Sequence, residues 1–243
     1  MEGFWLYGLH AVVAALRNPE RKKLQFLATS SALESLSAQI KTPEPAPEIK
    51  DSQQIARLLP AGAVHQGLAL RVLPLPEAGL EEVCISGDER KPRLVVVLDQ
   101  LTDPQNVGAI LRSCAAFGVN AVILTGHHAP PATGVLAKAA SGALDMVPVV
   151  RVSNLARAME QLAELGYWRV GLDSEASQAI ADIDLSGNLA LVLGAEGSGL
   201  RQLTARKCDF LGRIPASGQL ASLNVSNAAA IILYEVARRR TSG

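Results

Sequence analysis

No apolar run in this chain is long enough to span a bilayer, although 49% of its 243 residues are hydrophobic. The opening Met-Glu-Gly-Phe-Trp lacks the basic segment and long apolar core of a signal peptide. Cysteine is sparse. Cys84, Cys114 and Cys208 form an odd, scattered set that offers neither a disulfide framework nor the paired spacing of a zinc site. The histidines His10, His65, His127 and His128 are dispersed as well. The last two are adjacent, a spacing that cannot put two ligands on one helix face, and they read as a surface loop pair. No metal site is expected. A net charge of zero argues against a nonspecific nucleic-acid coat. There is no internal repeat and no low-complexity tract. These absences lead us to expect a soluble, cytoplasmic protein of one or two domains, large enough to bury a real core.

Several catalytic signatures are missing too. A Rossmann dinucleotide site needs Gly-x-Gly-x-x-Gly directly after an early strand. Gly194-Ala195-Glu196-Gly197-Ser198-Gly199 is glycine-rich, but its spacing is wrong and it comes late. No Walker A sequence, Gly-x-Ser-x-Gly elbow or His-Glu-x-x-His is found. Dehydrogenase, NTPase, hydrolase and metalloprotease readings all lose ground.

What the chain does have is an alternation of strand and helix patterns, divided into three parts. Residues 1–74 form a small α/β/α unit. Its helices are predicted around Val12–Leu16, Ser35–Ile40 and Gln53–Leu59, and its strands at Leu24–Ala28 and up to Val72. Thr42–Pro47 reads as a stiff loop. Arg17, Arg21, Lys22 and Lys23 cluster at its first turn. Residues 75–92 shift to proline, glycine and acid and form the linker, with a short helix at Leu80–Ile85. Residues 93–243 begin with the buried-strand pattern Leu94–Asp99. Asn106 is predicted to cap the helix that follows. Ala121–Leu124, Val135–Ala140, Met146–Val150, Leu155–Leu165 and Trp168–Leu172 continue the alternation. An open, mostly parallel sheet with helices on both faces is expected. Leu189–Leu193 is an uninterrupted apolar run ending at Gly194, the mark of a buried parallel strand. After Asn224, Val225, Ala228, Ala229, Ile232, Leu233 and Val236 share one helical face. Arg238, Arg239 and Arg240 fall in the last turn, where positive charge suits the helix dipole.

Three segments of the larger region resemble a known family. Asp103-Pro-Gln-Asn106-Val-Gly108-Ala-Ile-Leu-Arg112-Ser is similar to the first motif of the SpoU/TrmH (SPOUT) RNA 2'-O-ribose methyltransferases. Leu193-Gly194-Ala-Glu196-Gly-Ser-Gly199-Leu is similar to the second, and Ile214-Pro215 with Ser222-Leu223-Asn224-Val225-Ser226-Asn227-Ala228 to the third. Tyr7-Gly8-Leu-His10 and His65-Gln66-Gly67 resemble the L30e-like substrate-binding domain of the branch that acts on a guanosine of 23S rRNA. Asn227 departs from the pattern, which has an apolar residue there.

The resemblance implies a methyltransferase domain whose parallel sheet carries a trefoil knot, a homodimer, and S-adenosylmethionine held by the backbone around Gly194, Ile214 and Leu223. It casts Arg112 as the activating residue, with Asn106, Glu196, Ser222 and Asn224 supporting it. A literal general base is disfavoured for Arg112, because guanidinium stays protonated in proteins. It would instead fix a target phosphate and stabilise a developing alkoxide. The expected partner is 23S rRNA or a ribosomal precursor particle. A tRNA guanosine methyltransferase and a noncatalytic RNA-binding relative are the alternatives. For Asn106 and Ser226, helix capping is the competing structural role, and for Glu196 it is that of a solvated loop acid.

Overall fold

The computed structural model describes residues 3–85, 91–126, 129–131, 133–216 and 223–241. The chain divides into two compact units. Unit 1 comprises Met1–Pro76 and Pro130–Met146, and unit 2 comprises Glu77–Ala129 and Val147–Gly243.

In unit 1 the elements run β1 (Phe4–Tyr7), α1 (Leu9–Arg17), β2 (Lys23–Ala28), α2 (Ser30–Ser37), β3 (Pro47–Ile49), α3 (Ser52–Ala56) and β4 (Leu68–Val72). They build a four-stranded sheet of order β1-β4-β2-β3, in which only the β2–β3 pairing is parallel. α1 lays Ala11, Val12, Val13, Ala14 and Ala15 into the core. Its N-cap, Gly8, has no side chain. The orphan amide of Leu9 is met by the Oε1 of Gln66 at 3.1 Å. α2 starts five residues earlier than predicted, because the Thr29 hydroxyl accepts from the amide of Ala32 and caps it there. Pro47 ends the expected loop but also begins β3, which pairs with Phe26–Ala28.

Residues 130–146 pack with unit 1 and do not continue the strand–helix alternation of unit 2. The helix Gly134–Ala140 brings Gly134 so close to the backbone of Trp5 that a Cβ there would lie 2.2 Å from the Trp5 carbonyl oxygen. The short 3-10 turn Ala143–Asp145 then delivers Asp145 to Arg21. Arg21 Nε donates to Asp145 Oδ1 at 2.8 Å, with the two side chains 1% and 2% exposed. Arg21 also donates to the carbonyl of Leu73, and Asn18 Nδ2 donates to Asp145 Oδ1 at 3.1 Å. Arg21 therefore leaves the basic surface cluster expected from the sequence. Arg17 and Lys22 remain exposed.

Unit 2 begins with α4 (Leu80–Ile85), β5 (Leu94–Asp99), α5 (Pro104–Ala116) and β6 (Ala121–Thr125). The chain then visits unit 1, where Gly134–Ala140 is α6. It returns in β7 (Val149–Val152), α7 (Leu155–Glu164), β8 (Trp168–Leu172) and the short β9 (Gln178–Ala179). β10 (Leu189–Gly194), α8 (Gln202–Arg206), β11 (Phe210–Arg213) and α9 (Val225–Thr241) complete it. The seven strands pair only in parallel, in the order β7-β6-β5-β10-β8-β11-β9. Leu189–Leu193 and Leu94–Leu98 are buried throughout, as strands covered on both faces must be. One face packs Val95, Val97, Ile123 and Val192 against Leu155, Met159 and Leu162 of α7 and against Val83 and Cys84 of α4. α9 buries Val225, Ala229, Ile232, Leu233 and Val236. Asn227 is exposed, so a polar residue there costs the core nothing. Arg239 and Arg240 do more than suit the dipole. Arg239 donates to the carbonyls of Ala181 and Ile183, and Arg240 to those of Pro92, Arg93 and Gly187. Among the described residues, no helix is long and apolar enough to cross a membrane.

Two measurements test this packing. Asp145→Ala leaves the Arg21 guanidinium buried without its counter-charge and should cost about 3–5 kcal/mol of stability, read from denaturant unfolding. A loss below about 1 kcal/mol would mean that water replaces the carboxylate and the pair is not sealed. Burial pushes the thiol of Cys84 up to about 11 and those of Cys114 and Cys208 up to about 12. The native protein at pH 8 should therefore react with a disulfide reagent far more slowly than the protein in denaturant. Equal rates would show that the thiols are not held in the core.

Candidate functional site

The carboxyl edge of the parallel sheet is where the polar residues of the three motif segments emerge. β5 and β10 are adjacent and end in register, Asp99 opposite Gly194. In open α/β sheets, ligands bind outside this edge, where the strand order turns back on itself.

β5 feeds α5 through a short loop. Asp103, and not Asn106, is the N-cap: its carboxylate accepts from the amides of Gln105 at 3.1 Å and Asn106 at 3.2 Å. Pro104 follows at the first helical position, where its missing N–H is no loss. Asn106 is thus inside the first turn, with its side chain free for other partners. β10 ends at Gly194 and turns at once. Ala195 and Gly199 exchange amide-to-carbonyl bonds of 3.1 and 2.9 Å, with Gly197 at φ +83° and Gly199 at φ +64°. A Cβ on Gly194 would lie 2.1 Å from the carbonyl carbon of Gly199, so only glycine fits under this turn. The turn carries Glu196 outward. At the third segment, Asn224 caps α9. Its Oδ1 accepts from the Ser226 amide at 2.9 Å and the Ser226 hydroxyl at 2.6 Å, and its carbonyl accepts from Ala228. Ser226 is a donor to the cap and not the cap itself.

These three segments meet in one cluster. Asn224 Nδ2 donates to Asn106 Oδ1 at 3.1 Å, and both side-chain amides face Glu196 Oε2, at 3.4 Å from Asn106 and 3.5 Å from Asn224. A carboxylate only accepts, and each amide presents its NH2 to it. Glu196 is exposed yet partnered, so it is not simply a solvated acid. Its two bonds are long enough to yield to an incoming donor. The amino termini of α5 and α9 open onto the same cluster and add positive potential there. Such an arrangement can hold and orient a hydroxyl group.

Arg112 is not in this cluster. It lies six residues beyond Asn106 on α5, about 240° around the helix. It is exposed, and no hydrogen bond to it is found among the described residues. Ile214 is half-buried just after β11. Leu223 is 41% exposed immediately before the Asn224 cap. Ser222, His127 and His128 fall outside the described residues. Among the described residues, no group of three or more His, Cys, Asp or Glu could hold a metal ion. Sequence reasoning missed Asp99 and Arg201. Asp99 is fully buried at the end of β5. Its Oδ1 accepts from Arg201 Nε at 2.7 Å and its Oδ2 from the Arg201 amide at 3.1 Å. The only local signal was an acid terminating an apolar strand; the partner lies 102 positions away.

Comparison with known proteins bears on this edge. Residues 93–234 match the model of the SpoU rRNA Methylase family, and residues 5–78 match that of RNA 2'-O ribose methyltransferase substrate binding. The chain is 39% identical over 246 residues to the 23S rRNA (guanosine-2'-O-)-methyltransferase RlmB of Pseudomonas aeruginosa, covering 97% of this chain and 96% of that one. It is 40% identical over 242 residues to the protein of the same name from Escherichia coli K12, covering 97% and 98%. Among solved structures, the SpoU methyltransferase AviRb of Streptomyces viridochromogenes, in complex with the cofactor AdoMet, superimposes with a TM-score of 0.84 at 25% identity, covering 100% of this chain and 92% of that one.

The capping role of Asn224 can be separated from its bridging role. Asn224→Ala should lower stability by about 1 kcal/mol, while Asn224→Asp, which keeps the capping oxygen, should cost only a few tenths. Equal losses in urea unfolding would show that Asn224 does not hold the start of α9.

Proposed function

The chain belongs to the SpoU rRNA methylase family, and from that premise we propose that it transfers a methyl group from S-adenosylmethionine to the ribose 2'-hydroxyl of a guanosine in 23S rRNA. One observation carries the reading: a substrate-binding module and a methylase module occur together, at 39% identity over nearly the whole length of an enzyme named for that reaction. The tRNA alternative has no comparable support, and a noncatalytic role does not account for the Asn106–Glu196–Asn224 cluster.

Bound S-adenosylmethionine supplies an electrophilic methyl group. The residues proposed to hold it are Gly194, Ile214 and Leu223. They suit it, because strand-end backbone offers free amides and carbonyls to an adenine edge and Leu223 offers exposed apolar surface. A ribose hydroxyl is a poor nucleophile until its proton leaves or its oxyanion is stabilised. In our reading Asn106, Glu196, Asn224 and Ser222 orient the hydroxyl, while Arg112, which stands outside that cluster in this structure, fixes the neighbouring phosphate and comes to the oxyanion only with RNA bound. Unit 1 supplies RNA affinity, with Arg17 and Lys22 as exposed phosphate contacts. The homodimer, the knotted threading of the sheet and a cytoplasmic location belong to the same proposal. Exposed Ile231 and Tyr234 on α9 support the first of these.

The test is Arg112→Ala. Calorimetry with chelator present should detect S-adenosylmethionine binding by wild type and variant alike. Methylation of 23S rRNA by the variant should fall on the order of a hundredfold or more. Arg112→Lys should fail as well, since a point charge does not reproduce the planar fork. Near-normal turnover would remove Arg112 from its role. Wild-type methylation of tRNA in place of rRNA would overturn the substrate.

A further inference from the structure

The turn that carries Glu196 has one anchored stem and one hanging stem. Its first stem, Leu189–Gly194, is a strand paired on both sides. Its second stem, Gly199-Leu200-Arg201, belongs to no strand and lies before α8 begins at Gln202. It is nevertheless pressed against Gly194, to within 2.1 Å of where a Cβ would be. Gly199 exchanges two backbone bonds with Ala195, and beyond it the stem is held by Asp99. This carboxylate is 0% exposed at the end of β5. It accepts from the Arg201 amide and from the Arg201 guanidinium at Nε and Nη2, each of the last two at 2.7 Å. Arg201 is 44% exposed on its side chain, so the pair reaches from the sheet interior to the edge. A buried carboxylate whose oxygens are taken by one residue is a fixed point, and charge-assisted bonds of this length are the strong kind.

We propose that Asp99 and Arg201 are positioning residues for the methyl-transfer site. They clamp the returning stem of the Ala195–Gly199 turn to β5, and so set both the backbone at Gly194 and the place of Glu196. The inference rests on the function proposed above. It assigns these two residues to cofactor affinity through the backbone at Gly194, and to the chemical step only indirectly through the place of Glu196, because neither is itself in the Asn106–Glu196–Asn224 cluster.

The experiment uses the full-length protein. Arg201→Gln removes the clamp from the exposed side, Asp99→Asn removes it from the buried side, and the double variant removes both. Wild-type binding of S-adenosylmethionine tests the function itself. Given that binding, Arg201→Gln should weaken it roughly ten- to a hundredfold, the scale of losing bonds to a charged group. KM for S-adenosylmethionine should rise by a similar factor, while KM for RNA stays the same. The double variant should lose no more than the more affected single variant, because the two residues act as one unit. A purely structural role predicts a lower unfolding midpoint with KM for S-adenosylmethionine unchanged, and that result overturns the proposal. Additive losses in the double variant overturn it too. Should Asp99→Asn not fold, the Arg201→Gln measurements decide alone.

Discussion

β10 lies between β5 and β8, paired in parallel with both, and its side chains from Leu189 to Leu193 are buried. A strand in that position is held in register, since a shift of one residue would disturb the ladders to β5 and β8 together. Its end at Gly194 is therefore fixed relative to Asp99. The polar edge inherits that precision. Glu196 leaves from the end of β10 and Asn106 from the first turn after β5, so the core determines their separation. The helices α5 and α9 add the rest, each with an asparagine in or before its first turn.

The polar cluster contributes little to holding the protein together. Its bonds to Glu196 measure 3.4 and 3.5 Å and are open to solvent, a regime in which a hydrogen bond adds a fraction of a kcal/mol. The buried pairs are different in kind. Arg21–Asp145 and Asp99–Arg201 each take a carboxylate out of water, which is tolerable only because its oxygens find donors. Weak contacts at the surface and strong ones beneath it suit a site that must rearrange around a ligand on a frame that must not.

Local pattern was readable wherever one residue type dominated. The apolar runs of β5 and β10, the short helix Leu80–Ile85 and the strand Trp168–Leu172 stood out in the sequence, because burial on both faces or a clear period leaves a local trace. Capping was read three residues too late. Asn106 is a good capping residue in isolation, but Asp103 stands before a proline and takes the position first. Long-range pairing left no trace. Arg21 looked like a surface base because its partner lies 124 positions away, and Asp99 looked like a strand end because its partner lies 102 away. The grouping of Asn106, Glu196 and Asn224 came from the family resemblance; spacings of 90 and 28 residues say nothing by themselves.

The chain crosses between its two units three times, after Pro76, after Ala129 and after Met146. The substrate-binding module is thus not a cassette on a single tether, because part of its surface is encoded inside the methylase module, between β6 and β7. A chimera that exchanged only the first 76 residues with a relative would carry over Arg21 and leave its counter-ion behind. A successful exchange has to move residues 130–146 as well. For the same reason, cutting the chain once in the segment before Leu94 should not release a free amino-terminal fragment, because the buried Arg21–Asp145 pair still joins it to the rest.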